Sequence, residues 1–185
     1  NIFDMAPYAD GAAAVVLTRA DRLPKDFAHR QVRVLGSSVV VDALALHDRP
    51  EPLRFEAAAR WMERGCGQGG ILAGDADFFE VCDSFAVYAA LGLEAAGFAP
   101  RGQALRLAQE GVFSLKGKLP IMTMGGLKAR GHPLGATGVY QVIEAALQLR
   151  GEAGANQLPN PRRALVQSLA GPASTAVTHV MEAVN

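Results

Sequence analysis

A stretch of fourteen residues, GGLKARGHPLGATG at 125–138, holds five glycines and a single histidine, His132, directly before an apolar helical pattern. Gly135 and Gly138 lie at the start of that helix, where free backbone N–H groups and the helix dipole favour an anion or a developing oxyanion. Pro133 stiffens the backbone directly after the histidine. The stretch fits a phosphate-binding loop, a structural turn or part of a catalytic site, although it contains neither GK[ST] nor GxGxxG.

The apolar patterns elsewhere alternate between strands and helices, which predicts a layered α/β domain. The pattern predicts strands at 11–18, 29–41, 75–81 and on both sides of the small-residue turn in 164–182. It predicts helices at 53–65, 84–98 and 139–151, and a loop at 99–118. The last two strands are predicted to form an antiparallel edge, so we expect a mixed sheet of five strands.

The predicted helix 139–151 carries an apolar face that we expect to pack on the core. Its members are Val139, Val142, Ile143, Ala146 and Leu147. Gly151 is the expected end of the helix.

Composition excludes several classes of function. The formal net charge is zero, with 18 basic and 18 acidic residues, so nothing favours a nucleic-acid partner. Cys66 and Cys82 have no paired spacing, and no histidine pair has HExxH spacing, so we expect free thiols and no metal site. No signal peptide and no run of eighteen apolar residues is present, so we expect a cytoplasmic protein without a membrane span.

Four segments, in order along the chain, resemble the thiolase superfamily, particularly its sterol-carrier-protein-type branch. They are ADGAAAVVLTRADR (9–22), FFEVCDSFAVYAALGLEAAGF (78–98), the GHPLGATG signature within 125–138, and SLAGPASTAVTHVME (168–182). The resemblance covers only the C-terminal half of a thiolase. It implies that residues 1–28 are the end of the N-terminal domain, with its last strand and a linker, and that residues 29–185 are the C-terminal domain. The implied fold is a βαβαβαββ layer, one half of a five-layered αβαβα assembly.

The resemblance also implies an active site that acts on a coenzyme A thioester, with no tightly bound cofactor. His132 corresponds to the histidine that binds the thioester oxygen. Cys82 occupies the position of an asparagine or histidine in the family, so it is a candidate catalytic residue, with a buried non-catalytic thiol as the alternative. The positions implied in substrate binding are Gly125, Gly126, Gly135, Ala170 and Gly171.

This chain departs from the family pattern in the final glycine loop, where QSLAGPAS holds no cysteine. The nucleophilic cysteine of the family belongs to the N-terminal half. We therefore expect a 3-oxoacyl-CoA acyltransferase, such as an acetyl-CoA acetyltransferase, that is completed by an N-terminal half on the same or a separate chain. The alternatives are a non-catalytic subunit that binds acyl-CoA or scaffolds a partner, and a retro-aldolase for sterol side-chain CoA thioesters. A homo- or hetero-oligomer is expected, with a small OB-fold protein as one possible partner.

Overall fold

The strands form one mixed sheet in a computed structural model that describes residues 1–184. The strands are β1 (Val32–Val41), β2 (Phe78–Glu80), β3 (Arg163–Ala170) and β4 (Thr175–Ala183). Their spatial order is β1-β4-β3-β2; β4 pairs antiparallel with both β1 and β3, and β2 pairs parallel with β3. The predicted α/β class and mixed sheet are confirmed, but the β3–β4 hairpin lies in the middle of the sheet and not at its edge.

The sheet has four strands where five were expected. The predicted strand 11–18 is irregular backbone and mostly exposed, because it has no neighbouring strand among residues 1–184 to hydrogen-bond with. The strand that a βαβαβαββ topology requires before the last helix is reduced to one parallel bridge between Ile121 and Phe79. Met122 follows with a φ of +44°, a conformation that ends an extended segment.

The helices connect the strands, and several of them end at a glycine. They are α1 (Glu56–Gly69), α2 (Ala86–Ala95), α3 (Ala104–Gln109), α4 (Gly126–Arg130) and α5 (Thr137–Arg150). Short 3-10 turns lie at Ile2–Asp4, Ala20–Arg22, Leu46–Asp48, Ala73–Asp75, Leu134–Ala136 and Gly154–Asn156. Helix α1 continues past the predicted end at Gly65, and α3 lies in the stretch predicted as loop. Helix α5 ends at Gly151, as predicted.

Helices cover both faces of the sheet, and each face has its own apolar core. On one face, α1 packs on β1 and β4, and its fully buried Trp61 lies in a cluster with Phe79 and Val180. On the other face, α5 packs on β3 and β4, with Ala145 and Leu149 in its core. This layering brings the end of β2 and the start of α5 close together, which is where the candidate site lies.

Helix α5 buries a different face from the predicted one. The residues predicted to face the core are only half-buried, while the polar side chains of Gln141, Glu144 and Gln148 are buried. The Gln141 amide explains part of this rotation, because it donates hydrogen bonds to the carbonyls of Glu80 (3.2 Å) and Gln167 (3.1 Å). The apolar pattern predicted the wrong buried face because it treats every polar side chain as exposed. A side-chain amide can be buried when it hydrogen-bonds to the ends of strands.

Candidate functional site

Residues 125–138, which we call the histidine loop, are held at their start by a buried carboxylate. The side chain of Asp83 accepts hydrogen bonds from the backbone N–H groups of Leu127 (3.0 Å) and Lys128 (3.4 Å), at the first turn of α4. Burial raises the pKa of Asp83, and these two hydrogen bonds lower it in part. Asp83 therefore anchors the histidine loop to the segment that follows β2.

A second buried carboxyl group fixes the turn before the loop. Glu80 is 1% exposed and accepts hydrogen bonds from the Thr123 N–H (3.1 Å) and hydroxyl (2.9 Å). Burial, and secondly the nearby carboxylate of Glu144, raise the pKa of Glu80 from 4.5 to about 7. Nη1 of Arg130 in α4 donates to both carboxylate oxygens of Glu144, at 2.8 and 3.0 Å, and this ion pair ties the histidine loop to α5.

His132 is held by its side chain and by its backbone. Its Nδ1 lies 2.8 Å from the hydroxyl of Thr137, the first residue of α5. Its N–H donates to the carbonyl of Pro7 at 2.7 Å, and its own carbonyl accepts from the N–H of Ala9 at 3.3 Å. Burial lowers the pKa of His132, although the Asp83 carboxylate opposes this, and the lowered pKa favours the neutral imidazole. Since Nδ1 is engaged by Thr137, Nε2 is the ring nitrogen left for a ligand.

Residues 170–174, which we call the closing loop, connect β3 to β4. The buried guanidinium of Arg49 donates from Nε to the Ala43 carbonyl and from Nη1 to the Pro172 carbonyl, both at 2.8 Å. The Asp42 N–H donates to the Ser174 carbonyl at 2.7 Å. The closing loop is therefore fixed against the segment that follows β1.

The two loops border one main cavity of about 830 Å³ between α5, the sheet and the N-terminal segment. Four predicted site residues line it: His132, Gly135, Ala170 and Gly171. The remainder of the wall is mainly apolar, with Val142, Val177 and Met181 among its members, and the imidazole of His179 also faces it. A smaller cavity of about 400 Å³ lies on the other side of His132. The histidine thus lies where the two cavities meet.

The other predicted site residues lie outside the cavity walls. Cys82 is 2% exposed, and its Sγ lies 3.6 Å from the Ser84 hydroxyl. Ser84 itself lines the main cavity. Gly125 is the N-cap residue of α4, and Gly126, the first residue of that helix, is buried against Asp83. The catalytic role of Cys82 and the binding roles of the two glycines stay predictions.

Sequence reasoning missed the residues that support the loops. Thr137 lies in the GATG signature and could have been found as a partner for His132, because it starts the helix that follows. Glu80 and Arg49 gave no such signal: one lies in a short strand and the other in a proline-rich loop, and only long-range packing buries them.

Among residues 1–184, no group of three or more His, Cys, Asp or Glu side chains is arranged to hold a metal ion. No helix within this range is long and apolar enough to cross a membrane.

Comparison with known families and relatives extends these observations. Residues 38–183 match the family model described as thiolase C-terminal domain-like. The chain is 36% identical over 180 residues to an acetyl-CoA acetyltransferase of Methanothermobacter thermautotrophicus, covering 97% of this chain and 47% of the relative. It is 33% identical over 186 residues to sterol carrier protein 2 of Homo sapiens, covering 96% of this chain and 33% of the relative.

A solved structure shares the fold. The chain superimposes on a chain of the Ltp2-ChsH2(DUF35) aldolase with a TM-score of 0.71 at 21% sequence identity, over 86% of this chain and 41% of that one. The chain therefore spans less than half the length of each of these three proteins.

Proposed function

The chain belongs to the thiolase family, in which it corresponds to the C-terminal domain, and we propose that it forms the C-terminal half of an active site for acyl-CoA thioesters. In this proposal residues 1–28 end the N-terminal domain and residues 29–185 form the C-terminal domain. The observation that carries the proposal is the placement of His132. It lies beside a mainly apolar cavity that the closing loop also borders, with one ring nitrogen engaged and the other available.

His132 would stabilise the negative charge that develops on the thioester oxygen. Its neutral imidazole can donate from Nε2 when the Thr137 hydroxyl donates to Nδ1, which fixes that tautomer. A donor of this kind lowers the barrier by roughly 3–4 kcal/mol because it is already oriented before the charge forms. The exposed backbone of Gly135 and Gly171 borders the same space.

The proposed reaction is acyl transfer, and its nucleophile comes from outside this chain. In thiolysis, a cysteine thiolate of the N-terminal half attacks the 3-oxo carbon of a 3-oxoacyl-CoA. The bond from sulfur to that carbon forms and the C2–C3 bond breaks. The departing acetyl-CoA enolate, held by His132, takes a proton to become acetyl-CoA. The thiol of free coenzyme A then attacks the acyl-cysteine, which releases the shortened acyl-CoA and returns the cysteine.

The N-terminal half is the proposed partner, and the surface of the chain supports this. Apolar side chains of β1 and of the preceding segment are exposed, notably Val39, Val41 and Leu17. Exposed apolar groups next to a large apolar cavity are typical of a surface that another domain covers. A homo- or hetero-oligomer, with or without a small OB-fold protein, would build on this pairing.

The closing loop supports a second candidate reaction. Ser168 or Leu169 stands where a second thiol would be expected, so proton transfer to and from C2 has no thiol in that loop. Retro-aldol cleavage of a 3-hydroxyacyl-CoA needs no cysteine nucleophile. The 3-hydroxyl loses its proton, the C2–C3 bond breaks to give a ketone or aldehyde, and the acyl-CoA enolate takes up a proton. A structural neighbour of this chain is named an aldolase, which keeps this reaction as the alternative.

The test is the substitution His132→Ala in a complete protein, with this chain and an N-terminal thiolase half expressed together. We expect kcat/KM for thiolysis of acetoacetyl-CoA to fall by a factor of about 10²–10³ with the fold preserved. The matched control is His47→Ala, because His47 is exposed in a surface loop and its loss should leave turnover unchanged. Near-normal turnover of the His132 variant would contradict the proposal.

Mass spectrometry separates the alternatives. Incubation of the complete protein with acetyl-CoA should yield an acetyl adduct on a cysteine if acyl transfer occurs. Incubation with a 3-hydroxyacyl-CoA should instead release a ketone or aldehyde, without any adduct, if retro-aldol cleavage occurs. A non-catalytic subunit would bind acyl-CoA but would give neither a cysteine adduct nor a cleavage product.

A further inference from the structure

The N-terminal segment Met5–Ala9 contacts both the residues that follow β2 and the histidine loop. The Ala6 N–H donates to the Ser84 carbonyl at 2.9 Å, and an isolated antiparallel bridge pairs Met5 with Phe85. The next residues bridge to His132 in the parallel sense, through the two backbone hydrogen bonds described above. The segment therefore joins the end of β2 to the histidine loop.

One side chain of this segment meets the imidazole directly. The ring of Tyr8 lies nearly parallel to that of His132, with the ring planes 20° apart and the centroids separated by 6.2 Å. Tyr8 lines the main cavity and the smaller cavity, as His132 does. Tyr8 therefore borders both spaces, beside the group that the proposed reaction requires.

We propose that Tyr8 is a positioning residue for His132, packing against the imidazole so that the ring keeps its orientation at the main cavity. The proposal rests on the proposed function only for its effect on catalysis; the effect on the orientation of the ring is independent of it.

The imidazole of His132 can change its orientation in two ways. The bond between Nδ1 and the Thr137 hydroxyl fixes one edge of the ring, but the ring can still tilt about that edge. A neighbouring aromatic ring opposes the tilt, because offset parallel packing of aromatic rings is favourable. The backbone bridge holds Tyr8 in place, so this packing persists without a ligand.

A positioning role needs the ring of Tyr8 and not its hydroxyl. We therefore expect Tyr8→Phe to behave as the wild type and Tyr8→Ala to release His132. Tyr8 is 72% exposed, so neither change opens a hole in the core. Phe3→Ala is the matched control, because Phe3 is a similarly exposed aromatic residue that precedes this segment, and its ring is not paired with that of His132.

The first measurement is NMR of the His132 ring protons in this chain, with titration of its pKa. In Tyr8→Ala the protons should lose the ring-current shift of the tyrosine. The pKa of His132 should rise toward its ordinary value of 6.5, because the burial that lowers it is reduced. The signal of His179 is an internal reference, since His179 lies elsewhere in the cavity and should not change. Unchanged shifts and pKa of His132 in Tyr8→Ala would overturn the proposal.

The second measurement is turnover in the complete protein. Loss of orientation should lower kcat by about tenfold with little change in KM, since geometry and not binding is affected. Equal kcat in Tyr8→Ala and the wild type would also overturn a positioning role. If the NMR changes occur but no variant and no wild-type protein turns over acyl-CoA, the proposed function fails while the contact stands.

Discussion

The histidine loop and the closing loop border the same cavity, but buried groups of opposite charge hold them. The histidine loop depends on the carboxylate of Asp83, whose two oxygens accept two backbone N–H groups. The closing loop depends on Arg49, which donates to two carbonyls while its Nη2 has no hydrogen-bond partner among residues 1–184. Both carboxylate oxygens of Asp83 thus accept a hydrogen bond from the histidine loop, whereas Arg49 leaves one N–H donor without a partner. We expect the histidine loop to tolerate change less than the closing loop.

The largest difference is expected when alanine replaces a glycine in each loop. A Cβ at Gly126, where φ is +62°, would lie 2.3 Å from Asp83 Oδ2 and would displace the anchoring carboxylate. At Gly171, where φ is +58°, the nearest atom is the Ser174 hydroxyl at 2.8 Å, which can rotate away. Both changes place alanine in a left-handed conformation, which costs roughly 1–2 kcal/mol. Gly126→Ala should lose about 2 kcal/mol more than Gly171→Ala, since it also displaces a buried hydrogen-bonded group.

Chemical denaturation of the two variants measures this difference in the free energy of unfolding. Equal losses for Gly126→Ala and Gly171→Ala would mean that Asp83 does not constrain the histidine loop more than Ser174 constrains the closing loop.

Removal of the anchors themselves should have the next largest effect. Asp83→Ala leaves the N–H groups of Leu127 and Lys128 without an acceptor, so we expect a loss of roughly 2–4 kcal/mol in the free energy of unfolding. Arg49→Met leaves two carbonyls without a donor but also removes an unpartnered buried N–H group, so a loss of roughly 1–2 kcal/mol is expected. Thermal unfolding of both variants under the same conditions makes the comparison. A larger loss in Arg49→Met would reverse the interpretation of the two anchors.

The sequence could predict elements that local patterns determine, but not contacts between distant parts of the chain, such as these anchors. The hairpin of β3 and β4 and the end of α5 at Gly151 were predictable, because local apolar patterns and a helix-terminating glycine determine them. The predicted strand 11–18 was wrong because a run of small apolar residues becomes a strand only beside a partner strand. The central position of β4 depends on pairing with β1, more than 130 residues earlier in the chain, which no local pattern records.

The candidate site divides in the same way. His132 was found because a glycine-rich signature surrounds it. The carboxyl of Glu80 was not, because it follows two phenylalanines in a three-residue strand and gives no polar pattern. Cys82 was singled out from its position in the family, and burial in the structure separates it from the cavity that Ser84 lines. Family signatures thus locate residues that contact a ligand, while the residues that hold them depend on tertiary packing.

The last comparison concerns pH, and it tests whether Glu80, the second carboxyl group that supports the histidine loop, is protonated in the folded state. Because the pKa of Glu80 is raised from 4.5 to about 7, the folded protein keeps a proton that the unfolded chain has released between these values. The contribution of Glu80 to stability is therefore complete below pH 4.5 and is lost as the pH rises to about 7. Gln in its place still accepts from Thr123 but does not titrate. Relative to wild type, Glu80→Gln should gain up to about 3 kcal/mol between about pH 5 and about pH 8.

The control is Thr123→Val, which removes a hydroxyl donor but keeps the titrating carboxyl. Without that hydrogen bond the pKa of Glu80 should rise further, so the decline of stability with pH should persist in this variant. The measurement is the free energy of unfolding of the three proteins at several pH values. Because Glu144, Asp83, His132 and His179 titrate in all three, their contributions largely cancel in the difference. Parallel pH profiles for wild type and Glu80→Gln would mean that Glu80 is charged in the folded protein. Two ionised carboxylates, those of Asp83 and Glu80, would then support the histidine loop. Its contrast with the closing loop, which the cation of Arg49 supports, would be stronger.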